Sequence, residues 1–256
     1  MNEFILFGTT HLLTLFIIFV ASFGFAYFAK SNYSEQAYLP FEKFFGCLLI
    51  ANELLKPLIL TTFGDYKWTN TIPFHMCHIS SYATGLFLLT RDKRFFDFAY
   101  FWGLGGGTMA LLTPDIQLTF PDLDFITLFF GHGILFFGII YIAITLKQEI
   151  TFSSLMNAMK YPLYMLPFIY LLNLGIDQIA DPDYPPNLWY LMHPPGGASL
   201  MDLFPPLFQN PPWHIIPTMP LAGIIFLLLY ICLLYTSPSP RDATLSGVAG
   251  GGWKKK

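Results

Sequence analysis

The chain has 256 residues with a formal net charge of -3, and only 11% of them are charged against 54% hydrophobic and 18% aromatic. A soluble domain carries about 25% charged residues, and no basic stripe of the kind that grips nucleic acid is present. The charge deficit falls in long apolar runs, which excludes an ordinary soluble domain and predicts an all-α polytopic membrane protein.

Seven apolar windows follow one another, each near the roughly 20 residues that cross ~30 Å of hydrocarbon. The first, 10–28, lacks a basic n-region and a small-residue cleavage site, so it reads as a retained span. It carries His11 at its start. The second, 41–63, holds Cys47, Glu53 and Lys56. The third, 74–89, opens on Pro73-Phe74-His75-Met76-Cys77-His78, with Pro73 suited to a first helical turn. The fourth, 95–113, contains Gly103-Leu104-Gly105-Gly106-Gly107 and stops at Pro114. Those glycines let another helix or a substrate approach the backbone. The fifth, 123–145, starts beside Asp122 and Asp124, which favour a helix N-terminus, and carries His132. The sixth, 161–178, contains Pro162, Pro167 and Asn173. A segment at 180–220 holds eleven of the twenty prolines together with Asn187, Trp189, Tyr190, His193, Trp213 and His214. It reads as an ordered cap or re-entrant loop, aromatic enough for a membrane interface. The seventh window is 218–235.

Lysine and arginine alternate between connections. Lys30 and Lys43 flank the first; Arg91, Lys93 and Arg94 follow the third span; Lys147 and Lys160 follow the fifth. The intervening connections hold Lys67 and otherwise none. The positive-inside rule then places the N-terminus outside and the native C-terminus inside, a multi-pass protein of a bacterial plasma membrane. Residues 1–231 form one transmembrane domain. Cys232-Leu-Leu-Tyr-Thr-Ser-Pro-Ser-Pro-Arg-Asp242 looks like a translated sequencing adapter, so 232–256 reads as an artefactual, disordered tail. Cys47 and Cys77 sit in different spans and imply no disulfide framework.

Orientation turns the polar residues into a place. At 1.5 Å per residue, Glu53, Lys56 and His132 fall ~10–15 Å from the outer face, with His11, Cys77 and Asn173 nearer to it. The inner half carries almost no polar side chains. A cavity open to the outer leaflet follows, because ionisable groups at membrane depth face protein or water. Glu53 and Lys56, spaced i,i+3, are also placed to neutralise one another, and His132 to bridge two helices. Cys77, in the first turns of a helix beside His75 and His78, has the setting in which a thiolate becomes accessible.

Three chemistries compete for this cluster. Cys77 acts as a nucleophile on an acyl carbonyl with His132 as base. Alternatively, His75, Cys77 and His78 ligate a metal or haem, though without Cys-x-x-Cys spacing. The third is solute translocation with Glu53 and Lys56 as relay, against which the polar path stops half-way. No metal, cofactor, nucleic acid or soluble partner is expected; the expected partner is membrane lipid.

Taken in order, His11, Asn52-Glu53 with Lys56, Pro73-x-His75-x-Cys77 and Trp102-Gly103 form a recognisable series. Ala110-Leu111-Leu112-Thr113-Pro114-Asp115, His132, Asn173 and Asn187-x-x-Tyr190-Leu191 complete it. Over residues 5–230 this series resembles the YwaF-type bacterial integral membrane proteins and their distant relatives, the eukaryotic polytopic membrane phospholipid acyltransferases. The resemblance implies a polytopic helical fold in which Cys77 accepts a fatty acyl chain and His132 is its base. Glu53 and Asn173 are then supporting polar groups. The chain departs from that pattern at His193-Pro194, where a basic residue is expected before the proline. The reading from another class is a non-catalytic small-solute transporter or ligand receptor built on the same cavity.

Overall fold

A computed structural model describes residues 2–146, 148–194 and 203–236, with side chains as far as 232. Lys147 and residues 237–256 lie outside the described residues, and with them most of the tail expected from 232; its first residues, 232–236, are helical and close the last helix rather than being disordered. Seven α-helices run in order: α1 (Thr9–Asn32), α2 (Glu35–Phe63), α3 (Met76–Thr90), α4 (Lys93–Leu112), α5 (Leu123–Thr145), α6 (Phe152–Asp177) and α7 (Ile215–Thr236). Short 3-10 turns occupy Trp68–Asn70, Leu188–Tyr190 and Pro206–Gln209. Among the described residues the β pairing is a single bridge between Glu3 and Leu118. It ties the N-terminal segment to the α4–α5 connection. The protein is all-α.

Four helices, α1, α2, α5 and α7, are long and apolar enough to cross a membrane. Their flanks explain the rest of the layout. Exposed Leu12, Phe16, Leu54, Leu58, Phe168 and Ile224 lie on the outside of the bundle, the kind of apolar surface that marks contact with lipid or a partner. The most apolar stretch of α5 is 61% buried, against 22% for α1 and 6% for α7. The fifth helix is therefore the central post, and the seventh is a peripheral wall.

Caps fix where helices begin. Asp122 accepts from the Asp124 amide at 3.0 Å and starts α5, as the run of acidic residues predicts. Two boundaries differ from the sequence expectation. Pro73 is not in the first turn of α3: the helix starts at Met76, with His75 as its N-cap. The His78 Nδ1 accepts the His75 backbone N–H at 3.2 Å, satisfying a donor that a helix start leaves open. The sixth helix begins nine residues earlier than the apolar window, because Thr151 and Ser154 cap each other reciprocally.

Glycine sets the closest approaches. A Cβ on Gly46 would stand 2.9 Å from the Gly85 carbonyl, and one on Gly85 2.7 Å from that of Gly46. Backbone meets backbone there, so α2 and α3 cross at a distance only glycine allows. In α4 the glycines divide their work. A Cβ on Gly103 would collide with Ile139 of α5, and one on Gly105 would meet Phe226 of α7 at 3.1 Å. Gly106 has open space beside it and lines a cavity.

The end bearing the basic connections is not free of polar side chains, contrary to the sequence expectation. Glu42 is fully buried, forms an ion pair with Arg91 and accepts the Tyr141 hydroxyl at 2.6 Å. Tyr33 donates to it at 3.5 Å. A carboxylate in such a place needs both a counter-charge and donors. This one joins α2, the C-cap of α3 and α5 in a single knot.

Candidate functional site

At the opposite end, the α2–α3, α4–α5 and α6–α7 connections converge over a cavity of about 580 Å³. That is within the range of small-molecule sites. Cys77 and His132 both line it, brought together by α3 and α5. They also line a second void of about 10 Å³, shared with Glu53, Lys56, His78 and Ser81. The void has room for about one water molecule.

Two of the imidazoles have defined roles in their hydrogen bonds. The His132 Nδ1 lies 2.9 Å from the Leu128 carbonyl. A carbonyl only accepts, so Nδ1 carries the proton and Nε2 is left bare, the form a general base requires. The His78 Nδ1 accepts from a backbone amide, so its proton is on Nε2, 3.7 Å from the Glu53 Oε2. Glu53 is 3% exposed. Its Oε1 accepts from the Asn52 amide at 3.2 Å, while Oε2 has no hydrogen-bond partner. The expected Glu53–Lys56 neutralisation is absent from the ion pairs among the described residues. The carboxylate turns to His78 instead. The His75 ring packs between His78, at 5.6 Å between centroids, and Tyr190, at 5.3 Å.

A bracketed hook caps the cavity. Asn173 of α6 donates to the Leu188 carbonyl at 3.1 Å and accepts the Leu188 N–H at 2.7 Å. The Trp189 indole donates to the Phe74 carbonyl at 2.7 Å. His214, 2% exposed, meets the Tyr190 carbonyl with its Nε2 at 2.7 Å. Trp189 and Tyr190 sit at φ 59 and 52, a left-handed conformation that a residue with a Cβ holds only when its surroundings impose it. Asn187 serves the same turn by accepting the Met192 N–H and donating to the His193 carbonyl.

The candidate residues therefore separate. Cys77, His132, Lys56, His75, His78 and Tyr190 line the main cavity, and Glu53 borders the small void. Asn173 and Asn187 build the cap without lining the cavity. His11 lies elsewhere: it accepts the Phe7 N–H at 3.0 Å and reaches the Leu111 carbonyl at 2.8 Å, packed against Phe4, Phe7 and Phe129. It ties α1 to the end of α4. Asp115, Asp124, Tyr66 and His214 also line the cavity, a place the sequence reading did not give them, because each reaches it from a connection or a helix end. Burial, and then the Asp124 carboxylate beside it, raise the Tyr66 hydroxyl above its ordinary value. Among the described residues no group of three His, Cys, Asp or Glu side chains converges as a metal cage.

A stretch of 56 residues is 36% identical to an uncharacterized protein of Treponema pallidum (strain Nichols). It covers 22% of this chain and 23% of the relative, so the match spans under a quarter of that relative's length. No solved structure matches the chain. The model of the TMEM164 family matches residues 6–230, taking in every residue that lines the cavity. Neither match carries the YwaF name or an acyltransferase activity. On the extent of its match, the chain belongs to the TMEM164 family.

Proposed function

We propose that the protein is a seven-span membrane protein, N-terminus outside, that moves or releases an acyl chain of a membrane lipid through Cys77 and His132. The observation that carries this reading is the shared void: a thiol and an imidazole with a bare Nε2 line the same small polar space. That space opens beside a cavity with an extended apolar wall. The resemblance to polytopic membrane phospholipid acyltransferases supports the same pairing.

The chemistry is that of a thiol nucleophile with a positioned base. The His132 Nε2 takes the Cys77 proton, and the sulfur attacks the ester carbonyl of the lipid. The ester oxygen leaves with the proton from His132, and the acyl group remains on sulfur as a thioester. A lysolipid hydroxyl, or water, then gives its proton to His132 and attacks the thioester. The acyl chain departs on that oxygen, and the thiol recovers its hydrogen from His132. The Asn173-braced cap limits water over the site, favouring transfer over hydrolysis.

The test is turnover of a lipid with a fluorescent acyl chain by the purified full chain in nanodiscs. Wild type and Cys47→Ala should convert it, and Cys77→Ala should not. Equal conversion by Cys77→Ala and wild type would rule out the mechanism. A non-catalytic carrier or receptor using the same cavity is the second reading, favoured by the cavity's size; it predicts saturable binding with no conversion by any form.

A further inference from the structure

Lys56 is the lysine or arginine that lines the cavity and the void beside it, among the described residues. Its ammonium takes no part in the ion pairs found among them. Glu53, one turn away, is held by Asn52 and faces His78. His75, His78 and His132 surround the same space, and none of them offers a negative charge. Glu53 acts on this half-buried ammonium through the field without an ion-pair contact, and an ammonium that faces a cavity with no contacting counter-ion marks a ligand or ion pathway. The contact partner such an ammonium would take is an anion.

The walls say what carries it. Trp102 and Met109 of α4, Leu166 of α6 and Met219 and Leu221 of α7 make one side of the cavity apolar. Asp115 and Asp124 stand among the lining residues contributed by the α4–α5 connection and the start of α5. A free anion is disfavoured in a cavity that also holds two carboxylates, whereas an amphiphile offsets the same repulsion by burying its chain along the apolar wall. We infer that the cavity takes an anionic amphiphile whose phosphate or carboxylate group sits on Lys56 and whose chain lies along the α4, α6 and α7 wall. This rests on the lipid reading of the cavity and adds the charge and orientation of what enters it. Lys56 and Cys77 border the same void, which places the anionic group a few bonds from a reacting ester.

Calorimetric titration of the full chain in nonionic detergent separates the possibilities, using dodecyl phosphate, dodecyltrimethylammonium and inorganic phosphate as probes. Dodecyl phosphate should bind wild type and Cys77→Ala alike, and bind Lys56→Met and Lys56→Gln about 10- to 100-fold more weakly, the worth of one charge-assisted hydrogen bond. Lys56→Arg should restore most of the affinity, and inorganic phosphate should not compete. Equal binding by the folded Lys56→Met or Lys56→Gln protein, or an equal affinity for the ammonium amphiphile, overturns the assignment. Inorganic phosphate binding as tightly as dodecyl phosphate overturns the amphiphile. Tight binding to wild type and Cys77→Ala without acyl conversion leaves this site standing and removes only the thiol chemistry.

Discussion

Replacing His132 by alanine should slow acylation of Cys77 by about 10²- to 10⁴-fold, the contribution a positioned general base makes. The expectation comes from one hydrogen bond. With its Nδ1 proton held by the Leu128 carbonyl, the ring offers Nε2 alone, beside the void it shares with the thiol. Loss of the ring should leave the fold intact, because Leu128 is in mid-helix and its carbonyl retains its helical partner. Single-turnover labelling with an acyl-ester probe, run beside a thermal melt, measures both. An unchanged labelling rate would show that the imidazole does not serve the thiol.

The second large effect is on stability, at the far end of the bundle. Arg91→Ala should destabilise the protein by about 2–4 kcal/mol, because it leaves the Glu42 carboxylate without a counter-charge. Glu42 is fully buried, whereas the Arg91 side chain is 33% exposed, so the lower part of that range is expected. The backbone is no confounder. Arg91 caps α3 at φ 63, and alanine bears the same steric cost there as arginine. Reversible unfolding in mixed micelles should also show that Glu42→Gln with Arg91→Ala costs less than the two single changes added together, since the residues share one network. Strict additivity would mean that the pair contributes nothing as a pair.

Much of this architecture is legible in the chain. Apolar windows of bilayer length locate all seven helices, and Asp122 and Pro114 mark ends that the structure keeps. What hydropathy misses is capping chemistry. The Thr151–Ser154 exchange extends α6 backwards through a polar stretch, and the His75–His78 exchange delays α3 past Pro73. Hydropathy also has no view of pairing over distance. Glu42 lies near a window edge, where a carboxylate is cheap, and its burial depends on Tyr141, 99 residues away.

The site was legible in part for the same reason. Cys77, His132 and Lys56 stand out because each is an ionisable group in an apolar run, and the structure brings all three to one void. The Glu53–Lys56 spacing invites a local ion pair, but the side chain of Glu53 turns to α3, where His78 waits. Asn173 and His11 look alike in sequence, each a polar residue near a helix end. One braces the cap and the other pins α1 to α4. Only contacts with segments far along the chain tell them apart. His214 shows the converse: it reads as a loop residue and is buried against the Tyr190 carbonyl.

The central claim is that an acyl chain rests on one particular sulfur. Intact-protein and peptide mass spectrometry after brief incubation with a lipid donor, with and without hydroxylamine, addresses it directly. A hydroxylamine-labile acyl mass on the peptide containing Cys77, absent from Cys77→Ala and delayed in His132→Ala, is the predicted result. An acyl adduct confined to Cys47, or lipid conversion with no adduct on any cysteine, would contradict it.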